Sequence, residues 1–237
     1  MFAFFIAGSG VFPSTFVSMT ETAMNPADPI LQVAGRGPVP ASLKRFVWDI
    51  QSMVELADSE REILVIGRDL MARLVSSDDW LPAVFAAPSP GGGRQFQLYA
   101  DGLERFSIVS TILWDGAALS VAQPSVWEIM GVLRGAMTRR GLDCSGDGCA
   151  QPRGEGPLLQ PGAVDAHASG SGDILRLSNA LADGISIGVH VYGGEIGRLS
   201  RRSLAPDGRM GEQPLGYANA ENAPPYDIWS IQTVIRD

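Results

Sequence analysis

The sequence predicts an all-β sandwich or barrel preceded by two helices. Three observations lead there. From residue 94 onward the apolar residues recur with the period of strands, in short runs broken by turn residues. The chain carries 28 glycines and 16 prolines, as many short strands joined by tight turns require. Ahead of this region, two stretches have helical periodicity instead.

Residues 42–57 form the first helix, because Leu43, Phe46, Val47, Ile50, Met53 and Val54 follow i, i+3, i+4, i+7 spacing. Residues 59–75 form the second. Ser59 and Glu62 make a capping box at its start, and Ile63, Ile66, Leu70 and Leu74 supply its buried stripe. Pro82 and residues 88–93 end helical structure. Residues 95–100 and 105–114 read as strands about an Asp101-Gly102 turn. Residues 126–133 follow Pro124, and 141–162 read as a long Gly/Pro-rich loop. Residues 173–179 and 185–192 read as a hairpin around Asp183-Gly184. The domain therefore spans 41–220. Residues 1–40 read as an extended or disordered segment and 221–237 as a Pro-rich tail over the surface.

Composition limits the function. Of 237 residues, 45% are hydrophobic, enough for one sizeable core. The net charge of -8 repels phosphate backbones and anionic lipid, which argues against nucleic-acid and membrane partners. No apolar run reaches the roughly 18–20 residues that span a bilayer. Residues 1–23 carry no charge before Glu21 and so lack the basic start of a signal peptide; Met19 and Met24 are alternative starts. Two cysteines, Cys144 and Cys149, make no secreted disulfide framework, so a reducing cytoplasm is expected. With His167 they lack the fourth ligand and close spacing of a zinc site. Nothing decides between monomer and homodimer.

The strand at 185–192 holds the most chemistry. Side chains alternate along a strand, so Ile185, Ile187, Val189 and Val191 share one face. Ser186, Gly188, His190 and Tyr192 share the other, which faces water or a lined cavity.

An ordered series of motifs resembles the thiol dioxygenases, the cysteine and 3-mercaptopropionate dioxygenases. It runs Gln95-Phe96-Gln97-Leu98-Tyr99, Arg105-Phe106-Ser107-Ile108, Val126-Trp127, Gly131-Val132-Leu133-Arg134-Gly135, Gly172-Asp173-Ile174, His190-Val191-Tyr192-Gly193-Gly194 and Gly216-Tyr217. The resemblance covers about residues 42 to 220 and implies a cupin, a double-stranded β-helix or jelly-roll barrel, with the two helices packed outside. It also implies Fe(II) held by three histidines. Their places here hold Ala122, Pro124 and Leu175. Methyl, pyrrolidine and isobutyl groups do not ligate iron. The chain contains only His167 and His190, so no metal and no cofactor is expected.

The rest of the family's pocket is partly kept. Its Ser-x-His-x-Tyr trio becomes Gly188, His190 and Tyr192. Arg201 matches the arginine that binds the substrate carboxylate, with Arg198 and Arg202 as neighbours, and Gln95 matches a substrate-contacting glutamine. Glu128 stands where relatives carry Gly or Cys. Among Val126, Trp127, Ile129 and Met130, burial is expected to raise its pKa and suit it to acid/base work. A structural alternative is an ion pair with an arginine such as Arg176, which also stands as a substrate contact.

Three functions follow. The first is a metal-independent enzyme on a small carboxylate, thiol-derived ones included. Glu128 is its base, His190 and Tyr192 its acid or orienting pair, and Arg201, Gln95 and Arg176 its substrate contacts. The second is a silent cupin that binds a ligand or partner. The third is a thiol dioxygenase with a different iron site.

Overall fold

The computed structural model describes residues 39–87, 93–122, 125–144, 150–170, 174–204, 210–214 and 216–219. The expected disordered segment and Pro-rich tail lie almost wholly outside them, as does Cys149.

Two helices come first, α1 (Ala41–Leu56) and α2 (Glu60–Leu74). Ser59 caps α2 by accepting a hydrogen bond from the Glu62 backbone at 3.3 Å, as the capping box predicts. Leu43, Phe46, Val47, Ile50 and Met53 are buried in α1, and Leu70 and Leu74 in α2, whereas Ile66 is exposed. A short 3₁₀ turn (Ala83–Ala86) leads to the strands.

The strands are β1 (Arg94–Ala100), β2 (Ser107–Leu113), β3 (Ala118–Ala122), β4 (Glu128–Arg134), β5 (Met137–Cys144), β6 (Ala150–Arg153), β7 (Leu158–Leu159), β8 (Val164–His167), β9 (Ile174–Asn179), β10 (Ser186–Tyr192), β11 (Ser200–Leu204) and β12 (Met210–Pro214). They form two antiparallel sheets. The first has the order β1-β2-β10-β4-β8 and the second β12-β11-β3-β9-β5-β6, with β7 also on β5. From β2 to β5 the chain switches sheet at every strand, and from β8 to β10 it does so again. That order, β2-β10-β4-β8 against β3-β9-β5-β7, is the double-stranded β-helix of a cupin, all-β with two helices outside.

Two expectations need correction. The segment 141–162 is not one loop, since it contains the end of β5 and all of β6 and β7. Gly and Pro there shape strand ends and turns rather than preventing pairing. Residues 173–192 are not a hairpin either. Strand β9 pairs with β3 and β5, and β10 with β2 and β4, in the other sheet. The Asp183-Gly184 turn, with Gly184 at φ 107, carries the chain between sheets. The side chains of Asn179 and Asp115 hold it at the Gly184 carbonyl and N–H.

The main core lies between the helices and the outward face of the first sheet. Ile108, Ile112, Ile129, Leu133, Ile187, Val189 and Val191 meet Leu43, Val47, Ile50 and Met71 there. The alternation read from residues 185–192 therefore holds, with the apolar side facing the helices. Gly131 allows the close approach of α2, since a Cβ there would lie 2.7 Å from Met71 Cγ. The polar side of β10 faces the second sheet.

The β1–β2 hairpin is tied by Asp101. Its carboxylate accepts from the backbone N–H groups of Leu103 and Arg105, and from the Arg105 side chain at 2.8 and 3.0 Å. The Arg105 hydrogen bond holds the Asp101 carboxyl below its ordinary pKa, against the opposing effect of burial. A depressed carboxyl stabilises the fold above its unfolded pKa and loses that contribution as pH falls through the folded one. Asp101→Asn is expected to cost about 1.5–3 kcal/mol at pH 7. The difference from wild type should vanish at pH values below the ordinary aspartate range. Urea denaturation at several pH values checks this.

Candidate functional site

The site lies between the two sheets. Strand β4 contributes Glu128 and Met130, and β10 contributes His190 and Tyr192, held in register as Tyr192↔Glu128 and His190↔Met130. Gln95 comes from β1. From the second sheet come Leu119 on β3, Arg139 on β5, and Leu175 and Leu177 on β9. Together they line a cavity with about 30 Å³ of room for the centre of a water-sized sphere. By the measure that one water needs ~10–15 Å³, this holds two or three waters or a ligand of a few heavy atoms.

A buried chain of polar groups runs along one wall. The Arg139 Nη2 donates to Glu128 Oε2 at 2.7 Å. The other carboxyl oxygen, Oε1, lies 2.8 Å from His190 Nδ1. The Tyr192 hydroxyl is 3.3 Å from the same nitrogen. On its far side, Arg139 reaches Asp165 through Nη1 at 3.4 Å, and Asp165 meets His167 Nε2 at 2.8 Å. Burial works against the Arg139 charge, but the Glu128 and Asp165 carboxylates outweigh it and hold the guanidinium pKa above its ordinary value. Burial also opposes ionisation of Asp165, yet its bond to His167 and the nearby cations bring its pKa below the usual value.

An ionised carboxyl only accepts hydrogen bonds, so the contact with Glu128 places the hydrogen of His190 on Nδ1. That leaves the lone pair on Nε2. This atom is buried and has no hydrogen-bond partner. A Cβ on Gly188 would lie 3.2 Å from it. Glycine at position 188 supplies no hydroxyl to this nitrogen.

Four of the residues singled out in the sequence, Gln95, Glu128, His190 and Tyr192, line this one cavity. Gln95 also donates to Thr111 Oγ1 at 3.1 Å. Glu128 is buried. Its carboxyl meets a guanidinium and an imidazole, not apolar groups alone. Its arginine partner is Arg139, not Arg176. Arg176 is exposed and projects from the opposite face of β9 to Leu175 and Leu177, away from the cavity. The backbone of Arg201 is on β11 opposite Gln213, and its side chain lies outside the described residues. Sequence reasoning missed Arg139. The signal was the period-2 run Met137, Arg139, Gly141, which shares a face with buried Met137.

Ala122 pairs with Ile174 on the second sheet, Pro124 lies outside the described residues, and Leu175 lines the cavity. An isobutyl group has no lone pair for iron. Among the described residues no group of three or more His, Cys, Asp or Glu side chains is arranged to hold a metal ion. Of the three positions at which the resemblance implies a histidine, Leu175 is the one whose side chain the structure places at the cavity.

No family model matches the chain. Solved structures similar to part of it include a double-stranded β-helix domain and a cupin domain. A Klebsiella pneumoniae protein with a double-stranded β-helix domain is 15% identical, with a TM-score of 0.40 over 51% of this chain and 91% of that one. The cupin domain of an XRE-family transcriptional regulator from Enterobacter cloacae is 17% identical, with a TM-score of 0.34 over 44% and 100%. An oxalate oxidase in complex with glycolate is 17% identical, with a TM-score of 0.35 over 46% and 55%. The class of the protein, a cupin, follows from its own strand order. No helix among the described residues is long and apolar enough to cross a membrane.

Proposed function

We propose that this is a thiol-dioxygenase-like cupin that works without iron, with His190 as the acid/base group acting on a small polar ligand, a carboxylate or thiol-derived compound. One observation carries the reading. His190 Nε2 is buried and unpartnered at the cavity, while Nδ1 is fixed at 2.8 Å by Glu128. A buried nitrogen without a partner is costly, and a ligand hydrogen would relieve that cost. A carboxylate on the inner nitrogen orients the ring and stabilises the imidazolium formed when the outer nitrogen takes a proton. Glu128 is then a positioning residue rather than the base, and Arg139 fixes Glu128 in turn. Gln95 and Tyr192 add polar contacts at the cavity wall.

The test uses small carboxylates and thiols, 3-mercaptopropionate among them, followed by NMR for proton exchange into D₂O and for product. His190→Gln is expected to lower turnover by about 10²–10⁴-fold with the fold intact. Glu128→Gln should lower kcat more than it raises KM. Turnover that survives in His190→Gln rules the role out. Near-stoichiometric iron after anaerobic loading, with thiol-dependent oxygen uptake, would overturn the metal-free reading.

A second reading, binding without turnover, is favoured by the apolar wall. Leu119, Met130, Leu175 and Leu177 leave room for only a few heavy atoms. It predicts that ligands perturb His190 without being converted.

A further inference from the structure

We propose that the outer face of the second sheet holds a binding site for a phosphate-like dianion, formed by Arg140 and Arg176. The site is separate from the cavity and does not depend on how His190 acts.

Strand register carries the argument. Arg140 on β5 stands directly opposite Arg176 on β9. Side chains directly opposite on antiparallel strands lie on one face with Cβ atoms about 4.5–5.5 Å apart, and like charges so placed repel. Their neighbours Arg139 and Leu177 face the cavity, so both arginines face outward. Neither arginine has an ion pair with any described residue. By contrast Arg105, Arg134, Arg139, Arg153 and Arg198 have carboxylate partners. Moreover, Arg140 Nε is buried and has no hydrogen-bond acceptor. A buried donor without a partner and two facing cations are both unfavourable, and a single bound oxyanion removes both penalties.

The surroundings suit an anion. Ser120 on β3 faces Arg176 from the other side, and Thr138 and Ser178 pair one step along the same face. The register thus places hydroxyl-bearing residues beside the two guanidiniums on this face. Arg140 is also held in place. Gly156 packs so closely that a Cβ would lie 2.6 Å from Arg140 Cγ and 2.0 Å from the Arg139 carbonyl oxygen. A fixed guanidinium loses less entropy on binding. Two guanidiniums match the double charge of phosphate better than the single charge of a carboxylate.

Calorimetric titration of the full chain with inorganic phosphate, against chloride at matched ionic strength, tests the site. Glycerol 3-phosphate runs in parallel. Tighter binding of the ester would identify a phosphomonoester as the ligand, and tighter binding of phosphate the free ion. Arg140→Gln and Arg176→Gln are each expected to weaken phosphate binding at least tenfold. Without phosphate, Arg176→Gln should melt no lower than wild type, because repulsion is relieved. Phosphate should raise Tm in wild type only. Absent binding beyond the chloride control, or equal binding by wild type and both variants, would overturn the proposal. So would an Arg176→Gln protein that is less stable yet binds phosphate normally.

Discussion

Arg139→Met is expected to destabilise the protein by about 3–5 kcal/mol, the largest single loss foreseen for a site residue. Arg139 is 8% exposed and bridges the sheets, ion-paired to Glu128 on the first from its own place on the second. Methionine keeps much of the side-chain volume and removes the cation. Glu128, itself 4% exposed, then faces Asp165 with no charge between them. A buried and a half-buried carboxylate that have lost their shared guanidinium have raised pKa values, so their cost is small at low pH and grows as pH rises through the carboxylate range. The defect should therefore be larger at pH 8 than at pH 4. For a domain of this size, the loss corresponds to a Tm decrease of about 6–20 °C.

The double variant Glu128→Gln/Arg139→Met separates the buried charge from the packing. Once both charged partners are gone, most of the loss should be recovered, since a neutral pair of similar volume is often close to neutral in stability. A double variant as unstable as Arg139→Met alone would show that the cost lay in the shape of the side chain. Calorimetric melting of wild type, both single variants and the double variant closes the cycle.

How far the sequence reveals this arrangement depends on the range of each contact. Local patterns were legible. The capping box of α2 and the two-faced strand at His190 need only neighbours in the chain, and both are as read. The β9–β10 turn was misread because turn chemistry specifies a reversal, not which sheet receives the next strand. Arg139 was missed because an arginine on a strand ordinarily faces water, and only Glu128 and Asp165, on strands β4 and β8, make its burial favourable. Arg176 was a different failure. Leu175 and Leu177 line the cavity, so strict alternation already places Arg176 outside. The structural alternative for Glu128 was an arginine partner such as Arg176, but parity along β9 decides against Arg176.

Gly188→Ser is expected to lower function by up to about tenfold while leaving the protein as stable as before or more so. A Cβ at Gly188 would lie 3.2 Å from His190 Nε2 and 3.4 Å from Met137 Sδ, tight but tolerable if those flexible ends yield by a few tenths of an ångström. The serine hydroxyl would then be within reach of Nε2 and donate to its lone pair. Satisfying that nitrogen contributes about 0.5–1.5 kcal/mol, and replacing a glycine within a strand adds a smaller gain from backbone entropy. The same bond occupies the atom that a ligand needs. Ligand binding and turnover should fall by about two- to tenfold, since about 1.4 kcal/mol of displaced interaction is a factor of ten. Nitrogen NMR of labelled histidine reads this directly, because the chain has only two histidines and His167 is an internal control. The His190 Nε2 signal should move in the variant without ligand and stop responding to 3-mercaptopropionate or acetate, while His167 stays unchanged. If the variant keeps full ligand response, Nε2 is not the atom that meets the ligand, and the acid/base role assigned to His190 fails with it.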